Sequence, residues 1–269
     1  MTRPFTIAVS GKGGTGKTTI CSLLVRFFVG VGEIPVLAVD ADPNANLNEA
    51  LGLPIGETLG CMREDAFVKR IPPGMSRQDF IRYRFRQVLA ESRGFDLIAM
   101  GRPEGEGCYC FANDLLTECM RSLERDYRIV IEDTEAGMEH ISRGTIGKPD
   151  VLLIVSDPGA RGLRTAARIR DLAISLGMDP AICHFVINRY VSGHPAFPVP
   201  PLAVIPCDPA IEIADLHGMP VADIPENRPA RLAVWDLGVK ILGMRTGGTV
   251  GVSLPVPDAE KGVPSFHGS

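Results

Sequence analysis

Residues 11–19 read Gly-Lys-Gly-Gly-Thr-Gly-Lys-Thr-Thr and follow the apolar run Phe5 to Val9 after a single serine. A strand, a glycine-rich turn and a helix in this order form a phosphate loop, because the glycines let backbone N–H groups reach phosphate at a helix N-terminus. In this pattern Lys17 is placed to reach the β- and γ-phosphates, and Thr18 to bind Mg²⁺. The segment therefore predicts a nucleotide site whose ligands are ATP or ADP and Mg²⁺.

The same glycines leave a second interpretation open. The glycines at 11, 13 and 16 also satisfy a dinucleotide fingerprint, and Asp40 ends the second apolar run about where a ribose-binding acid would lie. Two features favour the triphosphate: the pair Lys17-Thr18, which a pyrophosphate-binding turn does not need, and the acid that ends the later run Ile129 to Asp133. Such an acid can hold Mg²⁺ through water in phosphate-loop enzymes.

Short apolar runs rich in β-branched residues alternate with helical patterns along the chain. This alternation predicts parallel βαβ units and hence a doubly wound α/β fold, with a mainly parallel sheet of seven or eight strands and helices on both faces. We expect a single P-loop domain over residues 1–244. The predicted strands are Phe5 to Val9, Val36 to Val39, Phe95 to Met100, Ile129 to Ile131, Val151 to Val155, Phe185 to Ile187 and Leu202 to Ile205, and the predicted helices are Lys17 to Val29, Asn113 to Arg125, Gly162 to Leu176 and Pro229 to Leu242.

Two regions depart from this alternation. Residues 53–93 form an irregular insertion that contains Pro72-Pro73-Gly74 and then Ser76-Arg-Gln-Asp79, a capping box before an arginine-rich helix. The insertion is interpreted either as a solvated excursion or as a docking segment for a partner. Residues 245–269 are rich in glycine and proline without periodicity, which predicts a disordered tail.

The bulk composition narrows the class of protein. The chain has 269 residues, 45% of them hydrophobic, which is enough to bury a substantial core. Its formal net charge of −4 and the absence of basic runs argue against nucleic acid as the main partner. Because the sequence has no signal-peptide pattern and no apolar run of about 18 residues, we expect a cytoplasmic protein without a membrane partner. Seven cysteines, an odd and sparse set, favour free thiols or metal ligands over a disulfide scaffold.

The phosphate loop resembles the deviant Walker A motif of the MinD/ParA and nitrogenase-iron-protein ATPases, because it carries a second lysine at Lys12. In that group the extra lysine reaches the nucleotide of the facing subunit, so the resemblance implies ATP-dependent homodimers in which both Lys12 and Lys17 act in catalysis. The run Val39-Asp40-Ala41-Asp42-Pro43 is similar to the first switch of the group. It implies that Asp42 positions the attacking water and that Asp40 lies near Mg²⁺.

The segment Asp133-Thr-Glu-Ala-Gly137 looks like the second switch of the same group. The resemblance implies that Asp133 is the Walker B acid near Mg²⁺, and that Glu135 and Gly137 belong to the switch that senses the γ-phosphate. Asn188-Arg189 and Pro206-Cys-Asp-Pro209 each follow a predicted strand, and they resemble the segments that frame the adenine in this group. A simple strand-end turn is the alternative for Asn188. Together the pattern and the resemblance predict a nucleotide site made of Gly11, Lys12, Gly13, Gly14, Thr15, Gly16, Lys17, Thr18, Thr19, Asn188, Arg189, Pro206 and Asp208.

A glycine-rich loop between the two switches contains Cys108-Tyr109-Cys110. Thiolates suit Zn, Cu(I), Ni or iron–sulfur units, but two cysteines are short of the usual four ligands of a closed site, and no neighbouring CxxC or histidine pair completes the set. A dimer would supply four. Glycines at 105 and 107 favour a metal site over incidental thiols at this pair, whereas the cysteines at 21, 119, 183 and 207 are expected to be such thiols.

The run Gly101-Arg-Pro-Glu-Gly-Glu-Gly-Cys-Tyr-Cys110, with Asp133 to His140 downstream, resembles the carbon monoxide dehydrogenase accessory ATPases of the CooC type. The resemblance implies insertion of nickel into the active-site cluster of carbon monoxide dehydrogenase, or of acetyl-CoA synthase. It also implies that Cys108 and Cys110 bind nickel or zinc across the dimer. Thr134 departs from the commonest family pattern before Glu135.

Two other functions stay open on the sequence. An iron–sulfur carrier or reductase resembling the nitrogenase iron protein would have a cysteine in a similar loop, but it also needs one in the second switch, and residues 132–144 contain none. A positioning ATPase of the ParA or MinD kind would bind DNA or membrane. MinD-like membrane binding needs an amphipathic C-terminal helix, and residues 245–269 show no apolar stripe.

Overall fold

The computed structural model describes residues 3–42, 46–62, 71–101, 120–121, 123–134, 148–192 and 200–247. Within these ranges eight strands form one sheet. The strands are β1 (Phe5–Gly11), β2 (Val36–Asp40), β3 (Ala90–Glu91), β4 (Phe95–Ala99), β5 (Ile129–Asp133), β6 (Val151–Ser156), β7 (Cys183–Tyr190) and β8 (Ala203–Pro206). The helices with defined bounds are α1 (Lys17–Gly30), α2 (Leu47–Leu51), α3 (Arg77–Gln87), α4 (Ala160–Ser175), α5 (Pro209–Leu216) and α6 (Pro229–Thr246).

The strands lie in the order β3-β4-β2-β5-β1-β6-β7-β8, and every neighbouring pair is parallel except β3 with β4. The predicted doubly wound α/β fold is thereby confirmed. Ligands of such sheets bind beyond the carboxyl ends of the strands, where the strand order reverses. Here that edge brings three strand ends together, since Asp133 of β5 pairs with Val9 of β1 on one side and with Asp40 of β2 on the other.

One face of the sheet is covered by α1 and α6, which pack on each other. Phe27 of α1 lies at the centre of this layer, with its ring 5.0 Å from the Phe28 ring and 4.9 Å from the Trp235 ring, both edge to face. Gly238 of α6 is required there, because a Cβ at this position would collide with the Phe27 ring. Burying a side chain of this size stabilises the fold by roughly 1.5–3 kcal/mol. The layer therefore fixes the position of α1, and with it the loop that precedes the helix.

The opposite face corrects the prediction of a solvated insertion at 53–93. Its helix α3 buries Phe80, Ile81 and Phe85 in an apolar cluster with residues of β2, β4 and β5. The capping box is confirmed, since the Ser76 side chain accepts a hydrogen bond from the Asp79 N–H at 3.1 Å. The sequence concealed this packing because four arginines on the helix outnumber its buried residues. In the described part of the insertion, the helix is part of the core.

Several boundaries also differ from the prediction. The sequence analysis did not predict β3 or α2, which are two and five residues long, or α5. The last helix, α6, runs to Thr246 and ends at Gly247 with a left-handed φ of 68°, two residues past the boundary expected at 244. The expected tail beyond this point and most of the helix expected at 113–125 lie outside the described residues. No helix in the described part of the chain is long and apolar enough to cross a membrane.

Candidate nucleotide site

The phosphate loop, residues 11–19, joins the carboxyl end of β1 to the N-terminus of α1. Its backbone needs glycine at specific positions: Gly14 and Gly16 have φ values of 78° and 88°, where side chains are rarely accommodated. Two of its glycines are also required by close packing. A Cβ at Gly11 would collide with the carbonyl oxygen of Val155, and one at Gly16 would collide with the Asn188 side chain. The loop is therefore held against β6 and β7 before any nucleotide binds.

Hydrogen bonds within the phosphate loop, and from β7 to the loop, fix its conformation. The Thr15 hydroxyl donates to the Lys12 carbonyl oxygen at 2.8 Å, which closes the turn. The Asn188 side chain, buried at the end of β7, donates through Nδ2 to the Thr15 carbonyl oxygen at 2.8 Å and accepts from the Arg189 N–H at 2.9 Å. Arg189 has a left-handed φ of 56°, a strained value for a residue with a side chain. Asn188 thus braces the loop, which is a more specific contact than the strand-end turn considered from sequence.

The acidic residues predicted to lie near Mg²⁺ converge on the start of α1. The Thr18 hydroxyl donates to Asp133 Oδ2 at 2.6 Å, while Asp133 Oδ1 is buried without a hydrogen-bond partner. Asp40 accepts hydrogen bonds from the Asp42 N–H at 3.1 Å and the Leu47 N–H at 2.8 Å, which holds the first-switch backbone close to the site. A buried carboxylate oxygen without a partner is costly, so this corner is suited to receiving a cation.

The two acids near the start of α1 have raised pKa values. Burial raises the pKa of Asp133 to about 7, against the hydrogen bond from Thr18, which lowers it, and the nearby Asp40 raises it further. Burial likewise raises the pKa of Asp40 to about 6. Two buried acids with raised pKa values repel each other when both are ionised. Mg²⁺ takes oxygen ligands, often one or two carboxylates with phosphate oxygens, so Thr18 and Asp133, with Asp40 beside them, fit this ion.

A cleft of about 450 Å³ opens next to the phosphate loop. It brings together eleven of the residues predicted from sequence. These are Gly13, Gly14, Gly16, Lys17, Thr18, Thr19, Asp42, Asn188, Arg189, Pro206 and Asp208. Two other residues of the loop, Gly11 and Thr15, are buried and do not line the cleft. Lys12 is exposed, and its side chain makes no hydrogen bond or ion pair among the described residues.

The cleft has a wall that the sequence patterns did not predict. Ile211, Glu212 and Asp215 of α5 line it, together with Asn46, Cys207 and Val221. Asp208 begins this helix: its side chain accepts a hydrogen bond from the Ala210 N–H at 3.0 Å. The start of α5 could have been recognised from the pair Asp208-Pro209, since aspartate as N-cap followed by proline at the first helical position is a helix signal.

Asp208 itself has a structural part in the site. Its carboxylate forms an ion pair with Arg228 and also accepts from the Ala230 N–H at 3.2 Å. Burial alone would raise the pKa of Asp208, but the hydrogen bonds from Arg228 and the backbone hold it below its usual value. Since its two oxygens are already engaged, we expect Asp208 to position α5 and α6 beside the cleft, and not to bind the base through its carboxylate.

Four further predicted residues belong to the expected metal site and to the second switch. Cys108, Cys110, Glu135 and Gly137 lie outside the described residues. Within the described ranges, no group of three or more His, Cys, Asp or Glu side chains is arranged to hold a metal ion. Three of the four cysteines expected to be incidental thiols are described: Cys21 and Cys183 are buried, whereas Cys207 is exposed. Cys61, the other described cysteine, is exposed as well.

Comparison with known proteins, like the geometry of the cleft, indicates a nucleotide-binding protein. Residues 6–221 match the family model of the CobQ/CobB/MinD/ParA nucleotide-binding domain. The chain is 37% identical over 251 residues to an uncharacterized ATP-binding protein of Methanocaldococcus jannaschii, covering 89% of this chain and 99% of that protein. It is 36% identical over 276 residues to the carbon monoxide dehydrogenase accessory protein CooC of Rhodospirillum rubrum, covering 92% and 99%.

Solved structures show the same fold. The septum site-determining protein MinD of Pyrococcus horikoshii, complexed with Mg-ADP, superposes with a TM-score of 0.67 at 22% identity, over 93% of this chain and 100% of that one. A chain of the MinC:MinD cell division protein complex of Aquifex aeolicus gives a TM-score of 0.66 at 22% identity, over 93% of this chain and 98% of that one. The chain belongs to the CobQ/CobB/MinD/ParA family of nucleotide-binding proteins and is a P-loop ATPase.

Proposed function

We propose that this ATPase is a metallochaperone that dimerises on ATP and inserts nickel into the active-site cluster of carbon monoxide dehydrogenase or acetyl-CoA synthase. The observation that carries the proposal is the 36% identity to the accessory protein CooC over 92% of this chain. The pair Cys108-Tyr109-Cys110 supplies the metal-binding chemistry, because thiolates are suitable ligands for nickel and zinc. Nickel itself is taken from the relative's association with carbon monoxide dehydrogenase, since zinc binds such ligands at least as tightly.

Hydrolysis of ATP rests on positioning and charge neutralisation by the residues of the cleft. Backbone N–H groups of the phosphate loop cradle the β-phosphate, and Lys17, which is buried, reaches the β- and γ-phosphates. Asp42, at the cleft wall, accepts a hydrogen bond from the attacking water and orients it toward the γ-phosphate. Thr18 and Asp133 would hold Mg²⁺, with Asp40 beside them, and this ion supplies positive charge to the phosphate oxygens when bound.

Lys12 gives the reason why the active form is a dimer. Its side chain is exposed at the outer side of the phosphate loop and makes no hydrogen bond or ion pair among the described residues. Lys12 of one protomer reaches the nucleotide bound by its partner, as the resemblance to the deviant Walker A group implies. Loss of the γ-phosphate removes contacts from both switches, and such a loss is a common trigger for opening a nucleotide-bound state.

The metal site and the nucleotide are thereby coupled. Two thiolates from each protomer give four ligands only when the dimer is closed, which matches the coordination number of structural thiolate sites. ATP therefore assembles the site, and hydrolysis followed by opening weakens it, so that the metal ion can be transferred to the client enzyme. In this scheme metal affinity is a property of the ATP-bound dimer.

The double variant Cys108→Ala/Cys110→Ala tests the proposal. We expect it to bind ATP as the parent does but to lose stoichiometric nickel or zinc, measured by elemental analysis of dimer isolated with a non-hydrolysable ATP analogue. Cys61→Ala, which removes another exposed cysteine, is the matched control and keeps its metal. Unchanged metal content in the double variant would overturn the proposal. Absorption by an iron–sulfur cluster in anaerobically purified protein would instead support a cluster carrier.

A further inference from the structure

The exposed side of α4 carries an unusual sequence of side chains. We define the α4 stripe as Arg161, Arg164, Arg168, Leu172 and Leu176, where Leu176 is the residue that caps the helix. These positions follow one another at intervals of three or four residues, so they lie on one side of the helix. The opposite side is buried on β6 and β1, through Gly162, Ala166, Ile169 and Ala173. The stripe is thus basic at its first half and apolar at its second.

The three arginines of the stripe are exposed, and none has an acidic partner among the described residues. This contrasts with seven other described arginines, which form ion pairs with aspartate or glutamate. The contrast matters because the chain has a net charge of −4, so acidic side chains are in excess. The stripe therefore places three positive charges without an acidic partner along one side of a single helix.

The position of the arginines in the helix is unfavourable for stability. Arg161 and Arg164 lie in or next to the first turn of α4, which itself contains no acidic residue, although Asp157 just before the helix accepts a hydrogen bond from the Gly159 N–H at 2.8 Å. The N-terminus of a helix carries partial positive charge, so cations there are destabilising and anions stabilising. Asp157 offsets part of this cost, but neither arginine forms an ion pair with it, so both side chains remain available to a ligand with negative charge.

The apolar half of the stripe indicates what kind of ligand this is. Leu172 is 48% exposed and Leu176 is 42% exposed, directly beyond the last arginine. A phosphate backbone would use the arginines but has no use for two exposed leucines. Protein interfaces combine apolar contacts with arginine, and oppositely charged patches on the two partners meet there.

We propose that the α4 stripe is the docking surface for a protein partner that presents acidic side chains beside an apolar contact. No residue of α4 lines the described nucleotide cleft, so docking at the stripe does not compete directly with the nucleotide for that cleft. The proposal does not depend on the identity of the metal or of the client enzyme. It assigns a binding surface to a region to which the proposed function gives no role.

The test uses the full chain and defined probes. Binding of a glutamate–tyrosine copolymer, which combines acidic and apolar side chains, is measured by fluorescence anisotropy beside poly-glutamate, a short duplex DNA and phosphatidylglycerol vesicles. We expect the copolymer to bind more tightly than poly-glutamate. Arg161→Glu/Arg164→Glu weakens copolymer binding by about tenfold or more, because the charge complementarity is reversed. Leu172→Ser/Leu176→Ser weakens binding of the copolymer but leaves that of poly-glutamate unchanged.

The matched control is Arg93→Glu/Arg125→Glu, which makes the same change in net charge at two exposed arginines outside α4. It leaves copolymer binding within about twofold of the parent, apart from the general effect of net charge. Arg161→Glu/Arg164→Glu is also distinguished from an unfolded protein by its thermal midpoint. This midpoint is not lowered, since glutamate at a helix N-terminus is favourable. Equal losses of copolymer binding in Arg161→Glu/Arg164→Glu and in the control Arg93→Glu/Arg125→Glu would overturn the proposal. Tighter binding of duplex DNA or vesicles than of the copolymer would overturn it as well.

Discussion

The two ends of α1 serve different purposes. At the C-terminal end, Phe27 and Phe28 are buried with Trp235 and Gly238 in a closely packed apolar layer. At the N-terminal end, the helix buries Lys17 close to two acids with raised pKa values, Asp40 and Asp133. One Asp133 oxygen has no partner there. Both ends are thus buried, but only the N-terminal end holds buried charged groups beside a carboxylate oxygen that has no hydrogen-bond partner.

The difference shows that the two ends of α1 contribute separately, one to the stability of the fold and the other to nucleotide binding. The aromatic end holds the helix in place through burial of apolar surface, which needs no ligand. The phosphate-loop end keeps charged groups partly unsatisfied, which lowers stability until a nucleotide and a cation arrive. Changes at the first end should therefore lower stability and leave chemistry intact, whereas changes at the second should abolish chemistry without destabilising the nucleotide-free protein. The predictions below test this division, starting with the largest effect.

Lys17→Ala should lower the rate of ATP hydrolysis by roughly 10²–10³-fold, because it removes a preorganised positive charge from the phosphates. Its thermal midpoint without nucleotide should stay close to that of the parent. Phosphate release and thermal melting measure the two quantities. Lys12→Ala is the control: it should keep ATP affinity but lose the ATP-dependent dimer in sedimentation. A Lys17→Ala protein that hydrolyses ATP normally would contradict the assignment of the site.

Gly238→Ala should lower the free energy of unfolding by about 1–3 kcal/mol, because the new methyl group collides with the Phe27 ring. The KM for ATP should not change. Gly30→Ala is the matched control: a Cβ there would meet the Trp235 ring at an ordinary 3.7 Å. That substitution should be neutral or stabilising by about 0.4–1 kcal/mol, since it reduces the entropy of the unfolded chain. Equal destabilisation by both would show that packing at Phe27 is not the cause.

Asp133→Asn should abolish Mg²⁺-dependent hydrolysis but stabilise the nucleotide-free protein, measured by denaturant unfolding in a chelator. Because the folded-state pKa of Asp133 is raised from 3.8 to about 7, its ionisation opposes folding as pH rises through this window. The variant's advantage should therefore grow between about pH 4 and pH 7 and then level off, at roughly 4 kcal/mol. A pH-independent difference would mean that the carboxyl group is not strained in the free protein.

Cys21→Ala should have the smallest effect, because Cys21 lies between the two ends of α1. Burial, with the neighbouring Asp133 and Asp40, raises the pKa of its thiol, so the thiol stays protonated. We expect a loss of about 1 kcal/mol in the free energy of unfolding from the missing buried atom, and hydrolysis within about twofold of the parent. Slow alkylation of Cys21 in the native protein, beside fast alkylation of the exposed Cys61, checks its burial by mass spectrometry.

Local signals in the sequence were sufficient for the sheet and the phosphate loop. Every predicted strand was found, because each is a short apolar run bounded by turn residues. The helix α3 was assigned its start correctly but its environment incorrectly, since its arginines concealed the residues Phe80, Ile81 and Phe85 that it buries. The helix α5, which forms a wall of the cleft, is only eight residues long, and its start at Asp208-Pro209 also resembles a base-binding segment.

The sequence by itself determined the phosphate loop, the doubly wound sheet and the identity of the acids, because these depend on neighbouring residues and on hydrophobic period. Only the tertiary structure decided which distant groups meet. Asn188 braces the loop 173 positions earlier, and Asp133 receives the Thr18 hydroxyl 115 positions away. The raised pKa values of Asp40 and Asp133 also appear only when both are buried at one sheet edge. Parallel strands bring such residues together because their carboxyl ends share that edge, and no local pattern records the order in which the strands pair.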